Sequence, residues 1–132
     1  MGSEHVALAD AADGAVADVM LARPKTLPAD STVAAVRQLF AKPSVRTALL
    51  VDGTAFRAAL DRGDLPDDAP DDAPALSFAR AGDTIGPDAP VAEALERLRG
   101  LEEPRLVVVD ADGVTLRGLV CLSGGGSQFC VA

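Results

Sequence analysis

Aromatic residues are scarce in this chain: of its 132 residues none is Trp or Tyr and only four are Phe. A stacking platform for bases or sugars is therefore disfavoured, and a core has to be assembled from Val, Leu and Ala. The means for metal or nucleophile chemistry are equally thin. His5 is the single histidine and sits in a polar, weakly patterned start, where it reads as a solvated residue, while Cys121 and Cys130 are the only cysteines. Without a second His or a paired-Cys motif no zinc site can be assembled from this chain, and no Ser-His or Cys-His arrangement recommends itself for catalysis. The chain is read as a non-enzyme. Positive charge is short too, with 12 Lys and Arg against 20 Asp and Glu, a net charge of −8 and no basic stripe. That balance argues against nucleic acid as a partner and against anionic membrane surfaces. No apolar run approaches the roughly 20 residues that span a bilayer, and no charged-then-apolar leader pattern opens the chain. A cytoplasmic protein is expected, with Cys121 and Cys130 reduced rather than joined in a structural disulfide.

What the sequence does contain is a repeat. Thr26-Leu27-Pro28-Ala29-Asp30-Ser31-Thr32-Val33-Ala34 reads against Thr84-Ile85-Gly86-Pro87-Asp88-Ala89-Pro90-Val91-Ala92 at an offset of 58. The offset holds where Thr47-Ala48-Leu49-Leu50-Val51-Asp52 meets Arg105-Leu106-Val107-Val108-Val109-Asp110. It becomes 60 at Phe56-Arg57-Ala58-Ala59-Leu60 against Leu116-Arg117-Gly118-Leu119-Val120, the extra pair absorbed where Asp52-Gly53 becomes Asp110-Ala111-Asp112-Gly113. One such unit rarely buries its apolar face alone, so two copies imply a single pseudo-symmetric assembly.

The pattern within each copy predicts strand, helix, strand, strand. Residues 1–15 read as a tail, and Val16 to Met20 as a short lead-in helix ended near Pro24. Thr26-Leu27-Pro28 is an extended segment, and the oxygen-bearing side chains of Asp30, Ser31 and Thr32 are expected to cap a helix from Val33 to about Ala41. Its apolar stripe is Val33, Val36, Leu39 and Phe40. Thr47 to Val51 and Ala55 to Leu60 are predicted strands about the turn at Asp52-Gly53. In the second copy Pro90 is placed in the first turn of a helix running to Arg99, closed by Gly100. The strand Leu106 to Val109 has no polar alternate and should be covered on both faces; a last strand is expected over Thr115 to Leu122. The boundaries are therefore a tail at 1–15, repeat 1 at 16–65, a Pro/Asp-rich linker at 66–78, repeat 2 at 79–123 and a Gly-rich tail at 124–132. In the linker, Pro66, Pro70 and Pro74 forbid a regular helix before Ala75 to Arg80. Asp67, Asp68, Asp71 and Asp72 read as a solvated run rather than a cation cage. Ser123-Gly124-Gly125-Gly126-Ser127 lacks the following Lys-Ser/Thr of a phosphate loop.

The ordered pair of units resembles the cystathionine-beta-synthase (CBS) domain pair, or Bateman module. The resemblance is carried by Asp18-Val19-Met20, Pro24, the run Thr26 to Val33, and Arg105-Leu106-Val107-Val108-Val109-Asp110-Ala111-Asp112-Gly113, and it covers about residues 16 to 123. It implies an α/β (α+β) fold of two repeats about a pseudo-twofold axis, each strand-helix-strand-strand, here with a truncated second helix. It also implies a homodimer formed through the helices, and a regulatory module that senses an adenosine-containing ligand (AMP, ADP, ATP, adenosine or S-adenosylmethionine) in a cleft between the repeats. No effector domain is attached, so the module is expected to stand alone and to act on a partner protein in trans. The alternative is a ligand-free dimerisation or docking scaffold.

The family's ligand signature is a Gly, two apolar residues, a Thr or Ser that meets phosphate, and an Asp three positions on that takes the ribose hydroxyls. In repeat 1 it falls on Ala58, Ala59, Leu60, Asp61 and Asp64, and in repeat 2 on Gly118, Leu119, Val120, Cys121 and Gly124. The ribose carboxylate is kept as Asp64 and lost at Gly124. Asp61 stands where a hydroxyl donor is expected, and a carboxylate there accepts only and repels phosphate. Neutral adenosine or cationic S-adenosylmethionine is therefore expected to outcompete ATP. The same two aspartates can instead be loop carboxylates capping the turn at Arg62-Gly63. A family-style cleft further draws on the first extended segment of each copy, Thr26-Leu27-Pro28 and Thr84-Ile85-Gly86, which are otherwise ordinary strand residues.

Overall fold

Two short sheets carry the repeat, one in each of two compact units, Lys25–Gly82 and Met1–Pro24 with Asp83–Ala132. The computed structural model describes residues 14–101, 104–123 and 128–129. The expectations for His5, the first thirteen residues, Gly124, the glycines after Ser123 and Cys130 lie outside the described residues.

In the unit Lys25–Gly82, β1 (Thr26–Pro28) runs parallel to β2 (Thr47–Asp52), which pairs antiparallel with β3 (Ala55–Asp61). Helix α1 (Val33–Phe40) follows β1. In the other unit, β4 (Thr84–Ile85) is parallel to β5 (Arg105–Val109), β5 is antiparallel to β6 (Leu116–Ser123), and β7 (Gln128–Phe129) adds a fourth strand. Helix α2 (Val91–Arg99) follows β4. The registers repeat as the offsets require: Thr26, Leu49 and Ala59 share one row, and Thr84, Val107 and Leu119 share the equivalent one. Even the irregularity recurs, since both hairpins carry a bulge, between Leu50 and Val51 and between Val108 and Val109. The bulged residues, Arg57 and Arg117, each pair with an Asp at the tip of the hairpin, Asp52 at the end of β2 at 3.8 Å and Asp110 just after β5 at 2.9 Å. The tips turn through Gly53 and Gly113 at φ 65° and 75°, a region that side chains with a Cβ rarely adopt.

The cores match the apolar spacing. Val33, Val36 and Phe40 are the buried face of α1, and Leu39 packs at the rim of the cluster formed by Val36, Phe40, Ala48, Leu50 and Leu60. In α2 the buried residues are Val91, Ala94, Leu95 and Leu98, packed with Leu106, Val108 and Phe129. Every residue of β5 is buried, among them Leu106 to Val109, whose lack of polar alternates predicts it. Fully burying side chains of this size contributes about 1.5 to 3 kcal/mol each.

Three expectations need correction. The side chains of Asp30, Ser31 and Thr32 do not cap α1: Thr32 holds the capping position without a side-chain bond. The free amides of Val33 and Ala34 donate instead to the main-chain carbonyls of Ala73 and Asp71, at 2.9 and 3.0 Å. The Pro/Asp-rich segment is thus the cap, and Arg37 fixes it by donating to the Asp71 carboxylate and to the carbonyls of Pro66 and Asp67. A competing main-chain acceptor displaces the side-chain cap because the amides need only one partner each. Helix α2 is treated alike, with Val91 N–H donating to Gly14 O at 2.9 Å and Pro90 standing one residue ahead of the helix. The lead-in is a 3-10 turn, Val16–Asp18, and Ala75–Phe78 is its counterpart in the other unit. Lastly, Cys121 is disulfide-bonded, and the described residues include no free cysteine; the expectation of a reduced Cys121 does not hold. Among the described residues no helix is long and apolar enough to cross a membrane.

Candidate functional site

The end of β3 gathers the residues of the ligand signature. Because Thr26, Leu49 and Ala59 occupy one row, Asp61 lies at the same end of the sheet as the start of β1, directly opposite Thr47. Cross-strand partners share a face, so Thr26 and Asp61 lie on one side. Leu27 packs with the α1 cluster on the other side, and Ala58, which faces Leu50, goes with it. Pro28 is exposed at the far end of β1. The structure therefore brings Thr26, Asp61 and Asp64 to one end of the sheet and leaves Leu27, Pro28 and Ala58 away from them.

Asp61 is 7 % exposed, and its Oδ1 accepts a hydrogen bond from the Thr47 hydroxyl at 2.6 Å. Immediately after it the chain makes a single 3-10 turn, Arg62–Asp64, the stub of the second helix. That turn is pinned to the end of α1 by Arg62, whose guanidinium stacks over the Phe40 ring at 4.9 Å and donates to the carbonyls of Lys42 and Val45. The Asp64 side chain, 22 % exposed, accepts from Arg80 Nη2 at 2.9 Å. The Asp61 side chain, at the N-cap of that turn, makes no capping bond.

Arg80 is the residue that sequence reasoning missed. It is placed by a two-bond main-chain bridge, Ala59 N–H to Arg80 O at 2.8 Å and Arg80 N–H to Ala59 O at 2.9 Å. Its own side chain is 70 % exposed. No residue pattern marks it, although Leu21 makes the same bridge to Leu119, at 2.7 and 3.0 Å. The lead-in before each repeat is itself repeated. Its residue types differ, so the repeat is invisible to residue matching.

In the other unit Thr84 is half-buried and Ile85 buried on β4, and Cys121 faces Arg105 at the position equivalent to Asp61. Gly118 is buried under the chain's own lead-in. A Cβ placed on it would stand 2.5 Å from Leu21 O and 2.8 Å from Met20 Sδ. Its lack of a side chain is thus required by the passing backbone of Met20 and Leu21. The place of Arg80 is taken by Leu21, so the carboxylate–guanidinium pair belongs to the unit Lys25–Gly82. Among the described residues no group of three or more His, Cys, Asp or Glu is placed to hold a metal ion.

Residues 83–123 match the family model of the CBS domain. No curated protein matches the chain. Among solved structures it is similar to a CBS domain protein of Pyrobaculum aerophilum complexed with AMP, at 24 % identity and a TM-score of 0.72, over 82 % of this chain and 87 % of that one. It is similar to a CBS-pair protein of Arabidopsis thaliana, at 18 % identity and 0.72, over 87 % and 92 %. A CBS domain pair/ACT domain protein of Thermotoga maritima aligns at 20 % identity and 0.71, over 83 % and 90 %. Residues 83–123 thus carry the match to the CBS domain, and the two repeats together have the fold of CBS-pair proteins.

Proposed function

We propose that this CBS pair is a regulatory module that binds an adenosine-containing ligand and acts on a partner protein according to its occupancy. The observation that carries the reading is the half-buried carboxylate of Asp64, held at the end of β3 by the Arg62–Asp64 turn. A carboxylate accepts from two vicinal hydroxyls at once, and such charge-assisted bonds are the strong ones. The Pyrobaculum relative, described as complexed with AMP, supports the ligand class. The test is a calorimetric titration of the protein with adenosine, AMP, ADP, ATP and S-adenosylmethionine; binding of at least one supports the reading, and silence from all five removes it.

A second reading, a dimerisation or docking scaffold without a small-molecule ligand, is favoured by the seat of Leu21 over Gly118 and by Asp61 and Cys121 at the hydroxyl positions. Under either reading we propose a homodimer through α1 and α2, which light scattering at micromolar concentration tests. A cytoplasmic setting is part of the proposal, and the disulfide of Cys121 is the observation that pulls against it, since cytosolic thiols keep such bonds rare. Peptide mapping after lysis into an alkylating agent decides between the two.

A further inference from the structure

We infer that a Cys121–Cys130 disulfide is a redox-sensitive strap that holds β7 against the core of its unit, and that reduction by a dithiol releases it. Cys121 is disulfide-bonded, and the sequence offers it one partner, Cys130, the residue after β7. The bond therefore closes the chain around the β6–β7 pair. Without it β7 has little to hold it. The strand pairs with β6 at Leu122 with Phe129 and at Ser123 with Gln128, and the connection reads Gly124-Gly125-Gly126-Ser127, with no apolar side chain to bury. Its anchor is Phe129, which is 1 % exposed and belongs to the cluster of Leu95, Leu98, Leu106 and Leu122. Cutting a cross-link across so short a ring favours the open form by about a hundredfold through chain entropy, against that short ladder and one buried phenyl ring.

The other repeat shows what the strap replaces. Asp61 stands at the equivalent place and is fixed within its sheet by the Thr47 hydroxyl. β3 then ends in the Arg62–Asp64 turn, and among the described residues its sheet has no strand beyond β3. Cys121 instead faces Arg105, which is 6 % exposed. Directly opposed residues on one face lie close, and a guanidinium beside a sulfur favours the thiolate that departs when a disulfide is attacked. Cys121 itself is half-buried, within reach of a small reductant. One thiolate of the dithiol attacks a sulfur of the bond and forms a mixed disulfide, from which its second thiol displaces the protein sulfur. The reductant leaves as a disulfide, and its two electrons and two protons remain on Cys121 and Cys130. With the strap open Phe129 is free to leave the core, and the edge of β6 at Leu122 and Ser123 and the apolar floor beneath Phe129 meet solvent.

The experiment is hydrogen–deuterium exchange of the whole chain before and after dithiothreitol, with non-reducing peptide mapping to identify the bonded pair. Mapping should find Cys121 linked to Cys130; Cys121 joined to any other thiol overturns the inference. Reduction should speed exchange in the segment from Leu122 to Phe129 by about tenfold to a hundredfold and leave β5 unchanged, and reoxidation with oxidised glutathione should restore the slow exchange. Cys130→Ser should show the fast pattern with no reductant present, which separates loss of the bond from any other effect of the dithiol. Faster exchange throughout the unit would mark a bond that holds the whole fold together. Unchanged exchange in fully reduced protein would show that Phe129 alone seats β7. Either result overturns the strap, as does a bond that withstands excess dithiothreitol in the native protein.

Discussion

The Thr47 hydroxyl donates to the Asp61 carboxylate at 2.6 Å across the β2–β3 ladder, with both residues buried. A side chain that the family signature sets at a phosphate position is here part of what joins two strands. A hydrogen bond to a charged group is worth about 1.5 to 3 kcal/mol, and removing one partner leaves the other under-satisfied in a buried place. Thr47→Val should therefore lower the denaturant midpoint by an amount of that order, with the m-value unchanged. An unaltered midpoint would show that the contact contributes nothing net.

Gly118→Ala is expected to be more harmful than its single methyl suggests. The added carbon would lie 2.5 Å from a main-chain oxygen, that of Leu21, and this backbone is itself bonded to Leu119 in both directions. Overpacking of this kind costs about 1 to 3 kcal/mol. Thermal unfolding measures it. In contrast Ala58, at the equivalent position, already carries a Cβ, and Ala58→Gly should show no gain of that size.

The turn after β5 should respond to acid. Asp112 accepts from the Thr115 hydroxyl at 2.6 Å and from the amides of Thr115 and Val114, both at 2.8 Å. Those bonds, the Thr115 hydroxyl first, hold its carboxyl below the usual 3.8. Because the folded value is the depressed one, the unfolded state binds more protons in the window between the two. The stabilisation is present above 3.8 and fades as pH falls through the folded value. Nuclear magnetic resonance titration should find the Asp112 carboxyl titrating below an ordinary aspartate, and Asp112→Asn should flatten that part of the stability profile. A normal titration midpoint would contradict the turn geometry.

Cys121 should resist alkylation in the native protein until a reductant is added, because it is disulfide-bonded. Losing a native disulfide from a small domain typically costs about 2 to 5 kcal/mol. Melting with and without reductant should reveal a drop, and an identical curve would mean that the bond adds no stability.

The repeat made most of the fold legible. Offsets of 58 and 60 map Thr26 onto Thr84 and Arg57 onto Arg117, and the registers and bulges of both sheets follow them. The helix faces were equally readable, since the spacing of Val33, Val36 and Phe40 leaves one choice of buried side. What the sequence concealed are contacts made by main-chain atoms. The carbonyls of Ala73 and Asp71 cap α1, and Leu21 O presses on Gly118; no residue type announces either. Arg80 was hidden for the same reason. Its distance from Asp64 is set by a backbone bridge to Ala59, and neither spacing nor charge pattern encodes that bridge.

The claim on which the functional account rests is that Asp64 receives the ribose of an adenosine ligand. Titration of AMP into wild type and Asp64→Ala, with melting temperatures taken alongside, tests it most directly. An exposed ion pair such as Asp64–Arg80 is worth at most about 1 kcal/mol to stability, so the variant should stay folded. The account predicts binding by the wild type and a loss of about tenfold or more in Asp64→Ala. Equal affinity in the two proteins would contradict it.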